Sequence, residues 1–196
     1  MRGSLPGSLF VMLIVLPPSE TKAPGGTDAA MALSFPSLDP IRNSLLDELT
    51  HTLVDAPASK QAEAEENLTL RSAPVMPPIE RYTGVLYDSL DASTLPADAL
   101  SRLAVGSALF GVVRAGDLIP RYRLSAGMKL GGKTLRAWWG SAVTDALADC
   151  GFVVDMRSGA YQNLGPVPGA LTIRVEQADT GKVVSHFNKK LSLIHI

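Results

Sequence analysis

The chain has one cysteine and three histidines in 196 residues. A single thiol, Cys150, allows no disulfide framework, a usage that fits a reducing cytosol. Cys150 follows Asp149 and has no cation beside it, so it reads as a small buried residue and not a nucleophile. His51, His186 and His195 share no motif with a serine elbow, and no His/Cys group has metal-ligand spacing. Neither a catalytic triad, a metal site nor a cofactor is expected. No apolar run approaches the roughly 18 residues of a membrane span. Net charge is only −1, so there is no global pull toward nucleic acid or membrane.

What is present is enough for a core. Hydrophobic residues make up 46% of the chain and charged residues 19%, the balance of an ordered globular protein, with one domain expected. The charge is unevenly placed. Residues 1–100 hold 6 Lys/Arg against 13 Asp/Glu, and residues 101–196 hold 12 against 6. Either the second half carries a basic face or the two halves pair in the fold.

Residues 103–134 look like the organising stretch. The apolar run 104–113 predicts a strand buried on both faces, with Arg114 at its exit. Ala115-Gly116-Asp117 turns the chain, and Arg121, Tyr122 and Arg123 follow. Such a strand either aims arginines into a cleft or leaves them solvated.

Around it, residues 12–16 predict a first buried strand; the short run ending in Pro17-Pro18, with charged Glu20 and Lys22 beyond, argues against a signal peptide. Asp39-Pro40 predicts a helix start, with Asp39 as N-cap and Ile41, Leu45, Leu46, Leu49 and Leu53 on its apolar stripe. Residues 59–70 read as a helix with a solvated acidic face. Tyr82 and Tyr87 flank Gly84 and predict either core packing or a pocket wall. Residues 134–149 predict one amphipathic helix carrying Trp138 and Trp139, closed by Gly151. Residues 152–155 predict a strand, 157–161 a loop, and 171–175 with 183–187 a hairpin.

Residues 127–134, GMKLGGKT, satisfy the phosphate-loop pattern G-x-x-x-x-G-K-[ST]. The preceding IPRYRLSA is too charged for the buried parallel strand from which such a loop springs. A nucleotide-hydrolysing function through 127–134 therefore stays a minor alternative, beside a glycine hairpin whose backbone meets a phosphate.

Several of these stretches together resemble the YaaA family of bacterial peroxide-stress proteins. MLIVLPPSETK (12–22) is similar to that family's opening strand and Ser/Lys loop, and RYTGVLYDSL (81–90) to its Y-x-G-x-x-Y patch. GSALFGVVRAGDLIPRYRL (106–124) resembles its signature S-x-L-x-G-x-x-R-P-x-D-x-I-x-x-Y-R-L, with Ala115 in place of the proline. LRAWWG, VVDMRSGAY and VVSHFNKK match later motifs in order. Ser125 replaces a glutamate often found after Y-R-L, as in an actinobacterial-type branch. The resemblance implies a cytoplasmic α/β (α+β) protein with a mixed central sheet, flanking helices and a basic cleft. It also implies a role in limiting peroxide and iron damage, and DNA binding through a helix-hairpin-helix-like element, for which 130–137 is a weak candidate. Against the family pattern, 1–11 reads as an extension, 12–190 as a single domain incomplete at its end, and LSLIHI (191–196) as a non-native tail.

The expected function is thus a peroxide-stress protein binding DNA or another polyanion. Arg114, Arg121, Arg123, Lys129 and Lys133 are the leading phosphate contacts, with Lys22, Lys189 and Lys190 behind them. Ser19, Tyr82, Tyr87, Asp117, Tyr122, Ser158 and Tyr161 are the candidate pocket residues. The rival expectation is an enzyme acting on a small anionic or phosphorylated ligand in the same cleft.

Overall fold

The computed structural model describes residues 12–52 and 57–173. Its core is a five-stranded mixed sheet in the order β4-β3-β1-β8-β9. Strand β1 (Met12–Leu16) occupies the middle. It runs parallel to β3 (Leu103–Ser107) on one side and to β8 (Phe152–Asp155) on the other. Leu13, Val15 and Leu16 are fully buried, as a near-continuous apolar strand between two parallel neighbours must be. Beyond β8, the short β9 (Leu171–Thr172) adds a further parallel pair. The rest of the expected 171–187 hairpin lies outside the described residues.

The apolar run 104–113 is not one strand. It folds back on itself as β3 and β4 (Gly111–Arg114), paired antiparallel with Ala104 opposite Arg114 and Ser107 opposite Gly111. Gly111 makes the reversal possible: its φ is +73°, a region closed to most side chains. A Cβ there would also lie within 2.9 Å of Val143. The Ser107 hydroxyl accepts a hydrogen bond from the Phe110 amide at 3.0 Å and closes the turn. Both halves of the run are buried as predicted, and the hairpin's consequence is positional. The innermost strand is β1, and Arg114 returns to the amino-terminal end of β3.

The helices flank this sheet. α1 (Asp39–His51) begins at Asp39-Pro40 as predicted and buries Leu45, Leu46 and Leu49. Asp39 does not cap it. Its carboxylate instead accepts from Arg42 at 2.8 Å, and Arg42, 1% exposed, also donates to the carbonyls of Ser34, Phe110 and Val112. A buried guanidinium with five donors holds α1 to the β4 edge. The acidic segment is split into a short 3-10 turn, α2 (Gln61–Glu65) and a second 3-10 turn, Glu66–Thr69. β2 (Val75–Met76), α3 (Pro78–Arg81), α4 (Val85–Leu90) and α5 (Ala97–Ser101) lead back to β3.

After β4, β5 (Ile119–Pro120) pairs antiparallel with β2. β6 (Lys129–Leu130) and β7 (Lys133–Thr134) form a tight hairpin over Gly131-Gly132. The helix expected over 134–149 is broken into α6 (Leu135–Trp139) and α7 (Ala142–Ala148). Gly140 breaks it, with φ +54°, and Thr134 caps α6 by accepting from the Ala137 amide. The expected 157–161 loop contains a helical turn, α8 (Gly159–Gln162).

Gly106 in β3 tests the packing at the carboxyl end of the sheet. A Cβ there would sit 2.7 Å from Arg157 Cδ, and Arg157 is itself locked in place. Gly106→Ala should lower stability by about 1–3 kcal/mol, the usual cost of overpacking. Urea denaturation should show the midpoint falling with an unchanged slope.

Candidate functional site at the carboxyl ends of the parallel strands

In open α/β sheets ligands bind beyond the carboxyl ends of parallel strands. Here β1 delivers Pro17, Pro18, Ser19 and Lys22 to that end, β3 delivers Ser107, and β8 delivers Asp155, Arg157 and Ser158. The segment after β5 brings Arg121, Tyr122 and Arg123 to it, and α3 and α4 bring Tyr82 and Tyr87.

Hydroxyl contacts hold these segments together. The Tyr122 hydroxyl lies 2.7 Å from the Tyr82 hydroxyl and 2.7 Å from Ser107 Oγ. Tyr87 donates to the Pro17 carbonyl at 2.8 Å. Tyr82 is 1% exposed and Tyr122 3%. Burial pushes the phenols of Tyr82, Tyr87, Tyr122 and Tyr161 above their ordinary values, so all four stay protonated as hydrogen-bond groups near neutral pH. Tyr82, Tyr87 and Tyr122 are the packed floor of the site, while Ser158 is exposed and Tyr161 half-buried.

Lys22 lies across this floor. Its ammonium is 4.6 Å from the Tyr122 ring centroid and 5.4 Å from that of Tyr82. Its hydrogen-bond partner is the Ser19 carbonyl, at 3.3 Å. Its backbone bridges Tyr82. Among the described residues no carboxylate comes within ion-pair distance of it. Burial lowers its pKa to about 8; Glu20 and Glu63 oppose the shift, and Arg123 and Arg121 add to it. Desolvation therefore outweighs the acidic neighbours that favour the cation.

Arg121 and Arg123 flank Lys22 and already hold carboxylates. Arg121 pairs with Glu66 at 2.8 Å and Glu63 at 3.2 Å, and Arg123 with Glu63 at 3.5 Å. Burial alone would raise the Glu63 carboxyl, but Lys60, Arg121 and Arg123 prevail and hold it below the usual glutamate value. Asn67 fixes the segment by accepting from the Arg123 amide and donating to its carbonyl. At this place the acidic first half neutralises the basic second half. Among the described residues Arg123 Nε is buried without a hydrogen-bond partner. A pocket of about 290 Å³ opens beside Arg121 and Glu66, with Pro24, Gly25, Ser72 and Pro74 on its other walls.

The remaining predicted residues lie elsewhere. Arg114 donates to the Ser101 carbonyl at 3.0 Å and lies over the Phe35 ring at 5.3 Å, at the amino end of β3. Antiparallel pairing of β4 is the reason. Asp117, 7% exposed, accepts from the Ser34 amide and hydroxyl and from the Arg114 amide; it fastens a loop. Lys129 and Lys133 are exposed on the β6–β7 hairpin, and Lys133 lies 4.3 Å from the Trp138 ring. Residues 127–134 thus form a hairpin that no parallel strand precedes, so they lack the strand-loop-helix arrangement of a phosphate loop. No helix precedes it directly, so 130–137 is not a helix-hairpin-helix either. Lys189 and Lys190 lie outside the described residues.

The arginines that matter most to the frame carry no special signal in the sequence. Arg157, 4% exposed, makes a two-pronged pair with Asp155, both contacts 2.8 Å, and donates to the Gly165 carbonyl. Arg81, fully buried, donates to the carbonyls of Ala23, Pro74 and Ile119. Their contacts join residues near in space and distant or irregular in sequence.

Lys22 makes stability depend on pH with a defined sign. Its folded pKa, about 8, lies below the ordinary lysine value, so the unfolded state binds more protons between those values. Stability should therefore rise with pH from about 8 to about 10.5, by on the order of 3 kcal/mol. Urea unfolding of wild type and Lys22→Met across that range measures it. The wild type should gain stability relative to the variant as pH rises; parallel profiles would contradict the burial argument.

A family model described as peroxide stress protein YaaA matches residues 12–191. A UPF0246 protein of Corynebacterium efficiens is 53% identical over 91% of this chain and 80% of its own length. One from Corynebacterium glutamicum is 51% identical with the same coverage, and one from Streptomyces coelicolor is 39% identical over 91% of this chain and 78% of its own. These matches take in the Lys22 loop, the β3–β4 hairpin, the segment of Arg121 to Arg123 and the β8 end, and they establish that the chain belongs to the peroxide stress protein YaaA family.

Proposed function

We propose that this chain serves the response to peroxide stress by binding a small anionic ligand beside Lys22. Family membership supports the link to peroxide stress. The ligand reading rests on one observation above the others: Lys22 is a half-buried ammonium with no carboxylate paired to it among the described residues, placed at the carboxyl ends of three parallel strands. A ligand anion would complete the charge balance that Glu63 and Glu66 provide for the arginines. The hydroxyls of Ser19, Thr21 and Thr83, within 3.1 Å of one another in sequence of contact, offer donors at its outer side.

A phosphate backbone is the second reading. Exposed Lys129, Lys133 and Arg136 favour it, since none of them has an ion pair among the described residues. Arg121 and Arg123 favour it less, because a backbone phosphate would compete with Glu63 and Glu66 for them.

Calorimetry with inorganic pyrophosphate as probe tests the first reading. Wild type should bind, and Lys22→Met should weaken binding by about 10- to 100-fold, the worth of one charge-assisted hydrogen bond. Unchanged affinity in the variant would remove Lys22 from the site. Fluorescence polarisation with duplex DNA tests the second. Backbone binding would fall steeply with salt, and a Lys129→Ala, Lys133→Ala double variant would reduce the log–log slope by about 2. No salt-sensitive binding by wild type retires that reading.

A further inference from the structure

We infer that Lys22 is a nucleophilic amine and that the ligand class it serves is an anionic carbonyl compound, such as an oxo acid or a phosphorylated aldehyde. This deepens the small-anion reading above and rests on it. The geometry is that of an amine that makes no ion pair among the described residues. Its hydrogen-bond acceptor is the Ser19 carbonyl, which binds an amine or an ammonium alike. The Tyr82 and Tyr122 rings cover its inner side, and their hydroxyls are committed to each other and to Ser107. The charged groups that act on it are Glu20 and Glu63, which favour the cation, and Arg121 and Arg123, which disfavour it.

An ordinary surface lysine is almost wholly protonated at neutral pH and has no lone pair to offer. Desolvation brings the Lys22 amine within reach of its neutral form, the recognised way in which proteins activate lysine toward carbonyls. The flanking guanidiniums supply what a carbonyl compound bearing a carboxylate or phosphate needs for orientation.

The step balances without an added reagent. The Nζ lone pair attacks the carbonyl carbon and forms a C–N bond, while the carbonyl π electrons pass to oxygen. Proton transfer from nitrogen to oxygen gives a neutral carbinolamine. Protonation of its hydroxyl by solvent and loss of water leave the protonated imine. Carbon and nitrogen keep their oxidation states, and hydrolysis reverses the sequence.

Pyridoxal 5′-phosphate, an aldehyde bearing a phosphate, is the probe, and pyridoxal is its matched control without the phosphate. Each is incubated with the wild-type chain at pH 7.5, trapped with borohydride, and located by peptide mass spectrometry. Lys22 should be labelled about tenfold or more faster than exposed Lys129, faster by the phosphorylated probe than by pyridoxal, and more slowly when pyrophosphate is added. Labelling of Lys22 no faster than of Lys129 overturns the inference. Equal rates with both probes overturn its anionic part. If pyrophosphate binds while Lys22 stays unlabelled, the binding reading stands and the nucleophile falls; if pyrophosphate neither binds nor protects, the binding reading falls as well. In a Lys22→Arg variant that keeps its circular dichroism spectrum the fast label should disappear; total labelling at the wild-type rate would also contradict the assignment.

Discussion

Three buried hydroxyl groups hold the candidate site of this molecule together. Ser107 ends β3, Tyr122 follows β5, and Tyr82 follows α3, and the two contacts among them are each 2.7 Å. Left unpaired, any of these buried groups would cost about 1–3 kcal/mol. Paired, they fix three segments that are distant in sequence against one another. Lys22 rests on the rings that carry two of these hydroxyls, so its position and its desolvation both follow from the hydroxyl chain.

Charge is distributed around that chain in two ways. Arg42, Arg81 and Arg157 are buried, and carbonyl oxygens, helped by Asp39 and Asp155, satisfy them. They are parts of the frame. Arg121 and Arg123 are partly exposed and share Glu63 and Glu66. Lys22 differs from both groups: Glu20 and Glu63 act on it from a distance, but among the described residues no carboxylate forms an ion pair with it. A buried charge without a partner is expensive unless it can lose its proton or gain an anion, and both outcomes are chemically useful. The family to which the chain belongs links it to peroxide stress.

Much of the frame was legible in the residues. The apolar run at 12–16 gave β1, Asp39-Pro40 gave the start of α1, and the ordered motifs pointed to the right family. Failures came where glycine acts inside an apolar pattern. Gly111 turns a single run into a hairpin, and Gly140 divides a single helical period into two helices, and in each case hydrophobic periodicity alone has no term for a positive φ. The first of these moved Arg114 and Asp117 to the other end of the sheet. The ion pairs of Arg121 and Arg123 span more than fifty residues, and buried arginines have the same letter as solvated ones. Lys22 was among the weaker candidates because nothing in its neighbours along the chain announces two tyrosine rings.

The character of this site depends on the protonation of one side chain, Lys22. Nuclear magnetic resonance titration of the Lys22 ε-methylene group in the folded chain, with ¹³C-labelled lysine and Lys22→Arg to assign the signal, measures it directly. A midpoint near 8 is the predicted result. A midpoint at the ordinary lysine value of about 10.4 would show a fully hydrated ammonium and would contradict the site as described.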